Sequence, residues 1–169
     1  MELSNQTRRN DERKLLVITG DVAVAQHGDA VRALAHSLHD SSLRHREPWA
    51  EHDCADPTCL HESRTFVGEY MEVFPGHYHR YLGLFEQARG GTLLLRRVEC
   101  LGSAAQRTLA SVLEQRFFSP IRSSEPRTYE ATTILTLGEG EAVGDHTVDP
   151  ALQRVLATAE AVVQEDANA

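Results

Sequence analysis

The sequence predicts an α/β fold, with a mainly parallel sheet of about four to five strands and helices on both of its faces. Three observations support this class. Short apolar runs typical of buried strands begin at Leu15, Thr92 and Thr132. Stretches with the apolar spacing of amphipathic helices lie between and after these runs. The length of 169 residues suits a single domain with one core.

The first half of the chain predicts a strand, a loop, a helix and then an interrupted aromatic segment. The apolar run LLVIT ends at Gly20, and Val31, Leu34 and Leu38 follow with helical spacing. Glycine and proline at positions 75, 76 and 83 interrupt the segment 66–85, which predicts a helix, an excursion and a return. The predicted ranges are strand 15–19, helix 28–38, strand 48–53 and short helix 57–63.

The second half predicts two further strands, each followed by a helix. Gly90 and Gly91 form a turn signal before the apolar run TLLLRRV. The tail is rich in Ala, Leu and Val with acidic residues, which favours a final helix. The predicted ranges are strand 92–98, helix 101–117, strand 132–137 and helix 149–163. We expect a polar N-terminal tail over 1–13, one domain over 14–164 and a frayed end over 165–169.

Composition narrows the classes of function. No segment approaches the roughly 20 apolar residues of a membrane-spanning helix, and the N-terminus has no apolar stretch typical of a secretory signal. The net charge of -8 and the scattered basic residues argue against a nucleic-acid partner. We therefore expect a cytoplasmic protein with no membrane contact. Its 3 cysteines argue against a disulfide framework.

A continuous block links this chain to a known family. Residues 66–95 read FVGEYMEVFPGHYHRYLGLFEQARGGTLLL, and the part from Gly83 to Leu93 carries the pattern GxFExAxGGTL. This block resembles the stretch of sigma-54 activator AAA+ ATPases that runs from their GAFTGA loop to their Walker B strand. The resemblance covers residues 14–138 and implies a reduced AAA+ P-loop NTPase core. Because the chain ends soon afterwards, we expect no helical lid subdomain.

The segment that resembles the family's phosphate loop, or Walker A, departs from the pattern GxxxxGK[ST]. In that pattern glycines expose backbone N–H groups to the phosphates, and the lysine reaches the outer phosphates. Here Gly20 is kept, Asp21 follows it, and Gln26 stands at the lysine position. We expect an ordinary strand-to-helix turn and no bound nucleotide, with a residual nucleotide pocket as the alternative.

The resemblance implies that Arg96 and Arg97 occupy the two Walker B acidic positions. In the family one acid organises magnesium and its neighbour activates the attacking water. Two guanidinium groups can neither coordinate a cation nor accept a proton. The sensor asparagine corresponds to Gly138, and no arginine finger aligns in the segment 149–152. We therefore expect no ATP hydrolysis, no catalytic residue, no cofactor and no homohexamer.

The counterpart of the GAFTGA loop is the segment 72–77, which keeps a phenylalanine and a glycine of that motif. Aromatic residues and methionine on a projecting loop suit a protein interface, although they also suit packing against the chain's own sheet. The candidate partner-binding residues are Tyr70, Met71, Phe74, Pro75, Gly76, Tyr78, Tyr81, Arg96 and Arg97. The arginine pair favours an acidic partner surface.

A weaker candidate is a metal site, because four residues of zinc-ligand type lie close together. They are His52, Cys54, Cys59 and His61. Their spacing differs from the usual arrangement of two well-separated ligand pairs. Since Cys54 also falls where the family has an ordinary cysteine, we expect a buried thiol and surface histidines, and no metal.

These observations predict a catalytically inactive AAA+-like domain that binds and regulates a specific protein, by sequestering or inhibiting it in a heterocomplex. One alternative is a sensor that binds nucleotide without hydrolysing it. Another is a modulator that docks onto an intact sigma-54 activator ATPase and disables its ring. A zinc-stabilised module is the remaining possibility.

Overall fold

The fold is built around a five-stranded sheet. The computed structural model describes residues 15–18, 28–57, 62–138 and 147–162. All four neighbouring strand pairs are parallel. In the order in which they lie side by side, the strands are β2 (Trp49–Asp53), β5 (Thr92–Arg96), β8 (Thr132–Thr136), β1 (Leu15–Ile18) and β9 (Glu160–Val162). The predicted α/β class and its parallel sheet are confirmed.

Two apolar layers cover the two faces of this sheet. On one face, Val31 and Ala35 of helix α1 (Gly28–Asp40) pack against Leu94 and Ile134. The opposite face carries the larger cluster, in which Leu109 and Leu113 are buried with Phe85 and Leu152. The helices on this side are α2 (Glu62–Val67), α3 (Leu84–Gln87), α4 (Ser103–Gln115) and α5 (Pro150–Leu156). The predicted helices on both faces are therefore confirmed.

Two short antiparallel ribbons extend from the main sheet. Strands β3 (Glu69–Phe74) and β4 (His77–Tyr81) form a hairpin, and β6 (Phe117–Phe118) pairs with β7 (Arg127–Thr128). The hairpin occupies the part of segment 66–85 that was predicted as an excursion and a return after a helix. None of the helices in the described ranges is long and apolar enough to cross a lipid bilayer.

The predicted C-terminal helix 149–163 is wrong in its second half. Helix α5 ends at Leu156, and residues 160–162 form the edge strand β9, in which Val17 of β1 aligns with Ala161. The residues between them form a turn, in which Thr158 donates its backbone N–H to the Val155 carbonyl at 3.0 Å. Alanine and valine suit either element, so pairing with β1 decides the outcome.

Buried Gln106 joins helix α4 to the start of α5. Its side-chain nitrogen donates to the Leu101 carbonyl at 2.8 Å, and its oxygen accepts from the Asp149 N–H at 2.6 Å. Asp149 in turn caps α5 by accepting from the Ala151 N–H at 2.9 Å. This network satisfies a fully buried amide and fixes the segment that precedes the last helix.

Candidate functional site

Arg96 and Arg97 lie at the carboxyl end of β5, where parallel strands bring neighbouring side chains together. Arg96 ends the strand and is in register with Asp53 of β2. Arg97 has a left-handed backbone conformation, with φ at 54°, and the strand therefore ends at Arg96, two residues before the predicted end at Val98. Its N–H donates to the Thr136 hydroxyl of β8 at 2.9 Å. Residues of three neighbouring strands therefore meet at this edge.

The Arg97 guanidinium is bound to the Asp53 carboxylate by two hydrogen bonds. Its Nε donates to Oδ1 at 2.9 Å, and a terminal nitrogen donates to Oδ2. Such bidentate pairs are among the strongest charged contacts that side chains make. Asp53 Oδ1 also accepts from the Ala55 N–H at 3.1 Å. The carboxylate is thus held by one side chain and by its own loop.

Arg96 faces the second carboxylate of β2. Its terminal nitrogen lies 3.9 Å from Glu51 Oε1, and Arg32 of α1 donates to Glu51 Oε2 at 2.7 Å. Sequence reasoning missed Glu51 and the pairing of Asp53. The signal was available, because Glu51 and Asp53 are alternate residues of a predicted strand and therefore lie on one face of the sheet. The predicted role of the arginine pair at an acidic partner surface stays a prediction, and these ion pairs already balance part of its charge.

The pKa of Asp53 reflects opposing influences. Burial disfavours the charged carboxylate, but the hydrogen bonds from Arg97 and the Ala55 N–H and the charges of Arg97 and Arg96 outweigh burial. The net result is a lowered pKa, so Asp53 is ionised at neutral pH. An ionised carboxylate can bind either an arginine or a metal ion, and here Asp53 binds Arg97.

The structure describes only some of the remaining residues that were predicted to correspond to the nucleotide site. Gly20, Asp21 and Gln26 lie outside the described residues, so the phosphate-loop interpretation stays a prediction. Gly138, at the sensor position, has φ at 67° and donates its N–H to Glu99 Oε1 at 2.8 Å. The family resemblance implies an asparagine side chain at this position. Gly138 has no side chain, and its backbone N–H makes the contact there, with the Glu99 carboxylate.

The candidate partner-binding residues of the loop lie on the hairpin of β3 and β4. Phe74 and Tyr78 are 61% and 66% exposed, and Val73 is 55% exposed. Tyr70 lies at the root instead, where its hydroxyl contacts Arg127. Tyr81, also near the root, lies under the Arg64 guanidinium at 4.5 Å from its ring centre. The structure therefore separates the predicted aromatics into a projecting tip and a root that packs against the body.

A β-bulge places the two most exposed aromatics, Phe74 and Tyr78, on opposite faces of the hairpin. The register shifts between Glu72 and Phe74, so that Phe74 pairs with His77. Directly opposed residues share a face and alternate residues of a strand also share a face. The bulge therefore moves Phe74 onto the face of β4 that carries His77. We call this the aromatic face, and its members are Met71, Phe74, His77, His79 and Tyr81. Pro75 and Gly76 form the turn at its tip.

The weak candidate for a metal site is not tested as a whole, because Cys59 and His61 lie outside the described residues. Cys54 is buried. The His52 ring meets the edge of Phe66 at 6.1 Å between centres. Burial lowers the pKa of His52 against the opposing charges of Asp53 and Asp56, so the ring is neutral at pH 7. Within the described ranges, no group of three or more histidine, cysteine or acidic residues is arranged to hold a metal ion.

The comparisons with known proteins agree with this architecture. A family model described as the sigma-54 interaction domain matches residues 6–140. The chain belongs to the sigma-54 interaction domain family. Among curated members, the transcriptional activator RocR of Bacillus subtilis (strain 168) is 31% identical over 131 residues, which are 77% of this chain and 28% of RocR. The transcriptional regulatory protein GlrR of Escherichia coli (strain K12) is 33% identical over 117 residues, which are 67% of this chain and 26% of GlrR.

Solved structures show the same fold for this sigma-54 interaction domain. The structure of NtrX from Brucella abortus in complex with ATP matches with a TM-score of 0.67 at 21% identity, covering 93% of this chain and 36% of NtrX. Its complex with ADP matches with a TM-score of 0.65 at 18% identity, covering 96% of this chain and 36% of NtrX. The chain spans between a quarter and a third of the length of RocR and GlrR.

Proposed function

We propose that this sigma-54 interaction domain is catalytically inactive and acts in the cytoplasm as a regulator that binds a specific protein, sequestering or inhibiting it. The observation that carries the first half is the bidentate pair between Arg97 and Asp53 at the carboxyl end of β5. The observation that supports the second half is the exposed aromatic tip of the hairpin.

Charge is the reason to expect inactivity. Phosphoryl transfer depends on magnesium held by carboxylates and on a group that positions the attacking water. At this edge the carboxylates of Glu51 and Asp53 are in ion pairs with Arg96 and Arg97. A magnesium ion would have to displace a guanidinium group and then remain beside a second one. Both steps are electrostatically unfavourable.

The hairpin tip is the better supported contact surface. Large apolar side chains that are more than half exposed are typical of interfaces, where aromatic residues supply much of the binding energy. Phe74 and Tyr78 are both more than half exposed, and they lie near the turn of the hairpin on opposite faces. We expect the partner to be a protein in a heterocomplex, with neither nucleic acid nor membrane involved.

Nucleotide binding is tested by thermal melting and an ATPase assay on the purified chain, with and without magnesium. We expect no turnover and no shift in melting temperature with ATP or ADP. A sigma-54 interaction domain with an intact phosphate loop serves as the positive control. Stabilisation by about 2 to 3 kcal/mol at ligand well above its dissociation constant would favour the nucleotide-sensor alternative. Turnover that Arg96→Ala abolishes would overturn the proposal.

Partner binding is tested by co-purification from the native cell with the wild-type chain and with Phe74→Ala/Tyr78→Ala. We expect one protein to be recovered with the wild type in constant proportion and to be lost with the double variant. Leu43→Ala is the matched control, because Leu43 is 65% exposed but lies in the loop after α1. Recovery of an activator ATPase would identify the ring-modulator alternative. Equal recovery with all variants would contradict a hairpin interface.

A further inference from the structure

The root of the hairpin is joined to the body by contacts on both of its faces. Glu69 is directly opposite Tyr81 and therefore lies on the aromatic face. Tyr70 and Arg80 are directly opposite each other and therefore lie on the other face. A ribbon attached on one face alone can hinge, whereas attachment on both faces opposes rotation in either direction. Each face of this root carries its own ionic contact.

Glu86 makes the ionic contact on the second face. This carboxylate is only 10% exposed, and it pairs with Arg80 of the hairpin and with Arg127 of β7. Arg127 also donates to the Tyr70 hydroxyl. One carboxylate of helix α3 therefore joins the hairpin to both α3 and the β6–β7 ribbon. Charged hydrogen bonds at such low exposure are stronger than those at an open surface.

Glu69 makes the ionic contact on the aromatic face. Its carboxylate is 13% exposed, and it lies 3.1 Å from Arg64 Nε of α2 and 3.7 Å from a terminal nitrogen of Arg122. Arg64 also covers the Tyr81 ring. The hairpin thus has two nearly buried carboxylates at its root, one for each face, and each of them contacts two arginines.

Backbone contacts reinforce the same root. The Tyr70 N–H donates to the Ile121 carbonyl at 3.0 Å, and the Ile121 N–H donates to the Gly68 carbonyl at 2.9 Å. The two ends of the hairpin also cross closely, since a Cβ on Gly83 would lie 2.3 Å from the Gly68 nitrogen. Only glycine at position 83 allows the two ends of the hairpin to approach this closely.

We propose that Glu69 and Glu86 are positioning residues that hold the β3–β4 hairpin in one orientation relative to the sheet, so that its exposed tip is presented in a fixed position. The inference rests on the proposed function for the meaning of that tip. The fixed orientation itself is a property of the isolated chain, and it is tested with no partner present.

The test is an NMR measurement on the full chain, using backbone 15N relaxation and amide hydrogen exchange. In the wild type we expect order parameters of about 0.85 across residues 70–80, equal to those of the rigid sheet. In Glu69→Gln/Glu86→Gln we expect the Tyr70 and Ile121 amides to exchange at least roughly tenfold faster, because charged hydrogen bonds that hold the root are weakened. The Leu94 and Ile134 amides in the core should keep their wild-type rates.

Glu72→Gln is the matched control, since Glu72 lies on the same hairpin and accepts from the Gly76 N–H at the tip. We expect it to leave the Tyr70 and Ile121 rates unchanged. The single variant Glu86→Gln replaces the double variant if the latter does not fold. Wild-type hairpin order parameters below about 0.6 would overturn the proposal, and so would unchanged root exchange in the glutamine variants. Failure to find a partner would count against the proposed function and leave this result intact.

Discussion

Arg97 makes two kinds of contact at the end of β5, through its guanidinium to Asp53 and through its N–H to Thr136. An acidic side chain at this position would instead place a second carboxylate on the side of Asp53. Two unshielded carboxylates there would repel each other unless a cation lay between them. Arginine at this position therefore balances the Asp53 charge and connects β5 to β2 and β8.

The first prediction concerns the coupling between these two residues. Asp53→Asn and Arg97→Gln should each lower the free energy of unfolding by about 1 kcal/mol, and the double variant should lose less than the sum, because the pair is about one-third exposed and screened by solvent. Urea unfolding of all four proteins measures the coupling. Glu114→Gln, an exposed position on α4, controls for loss of charge alone.

The pH dependence of this coupling follows from the lowered pKa of Asp53. A depressed pKa means that the ionised carboxylate stabilises the folded state above its ordinary value of 3.8, and that this contribution is lost as pH falls through the folded value. The wild type should therefore approach the stability of Asp53→Asn in acid. A constant difference between the two proteins down to strongly acidic pH would contradict the assignment.

The second prediction concerns the glycine that precedes β5. A Cβ on Gly91 would lie 1.8 Å from the Pro48 carbonyl oxygen, which is backbone and cannot move aside. Gly91→Ala should therefore destabilise the chain by about 3 kcal/mol or prevent folding. Gly76→Ala is the contrast, because its φ is 79° but its Cβ meets nothing, so a cost of about 1 kcal/mol is expected. Thermal melting ranks the two variants, and equal losses would refute the steric explanation.

At the scale of elements, helix α1 is attached to the sheet by a polar contact within an apolar layer. The His39 ring is 6% exposed and lies 2.8 Å from the Thr92 hydroxyl at the start of β5. The His39 ring also makes an edge contact with the Trp49 ring. The His36 ring stacks on the same Trp49 ring, with 3.9 Å between ring centres. The amphipathic pattern predicted the helix but gave no sign of this contact.

The third prediction is that α1 docks less firmly in mild acid. Burial lowers the pKa of His39, helped by the charges of His36 and His45 and opposed by Asp40. The neutral ring therefore stabilises the fold above the ordinary value of 6.5, and this contribution is lost as pH falls from there towards the folded pKa. His39→Gln should reduce the stability difference between pH 7.5 and pH 5.5, measured by urea unfolding. His45→Gln, at an exposed position, should preserve most of that difference.

At the scale of the whole molecule, the family resemblance and the charge distribution bear on assembly. In ring-forming relatives the neighbouring subunit completes the nucleotide site with an arginine, and no arginine finger aligns in the segment 149–152 of this chain. In the structure this segment begins helix α5, where Asp149 caps the helix and accepts a hydrogen bond from Ser103 at 2.5 Å. The segment therefore starts a helix within the domain.

The fourth prediction is that the chain does not form a hexamer when nucleotide is added. Sedimentation velocity should show the same small species with and without ATP and magnesium, because no nucleotide links one subunit to the next. An intact sigma-54 interaction domain provides the assembling control. A hexamer that appears only with ATP would contradict both this prediction and the proposed loss of activity.

The sequence by itself determined the fold class, the positions of the central strands and the reversal of charge at Arg96 and Arg97. These features follow from local apolar periodicity and from residue identity, which need no knowledge of distant contacts. The predicted ends of elements were less accurate. Strand β5 stops at Arg96 because Arg97 is left-handed, and the last helix gives way to β9 because β1 offers an unpaired edge.

Only the tertiary structure decided which charges meet. Glu51 and Asp53 are more than 40 residues from Arg96 and Arg97, and parallel pairing alone brings them to one edge. The same holds for the aromatic face, since one bulge residue sets the side on which Phe74 projects. Side-chain pairing across strands depends on register and on the burial of each group, and neither is encoded in the spacing of residues along the chain.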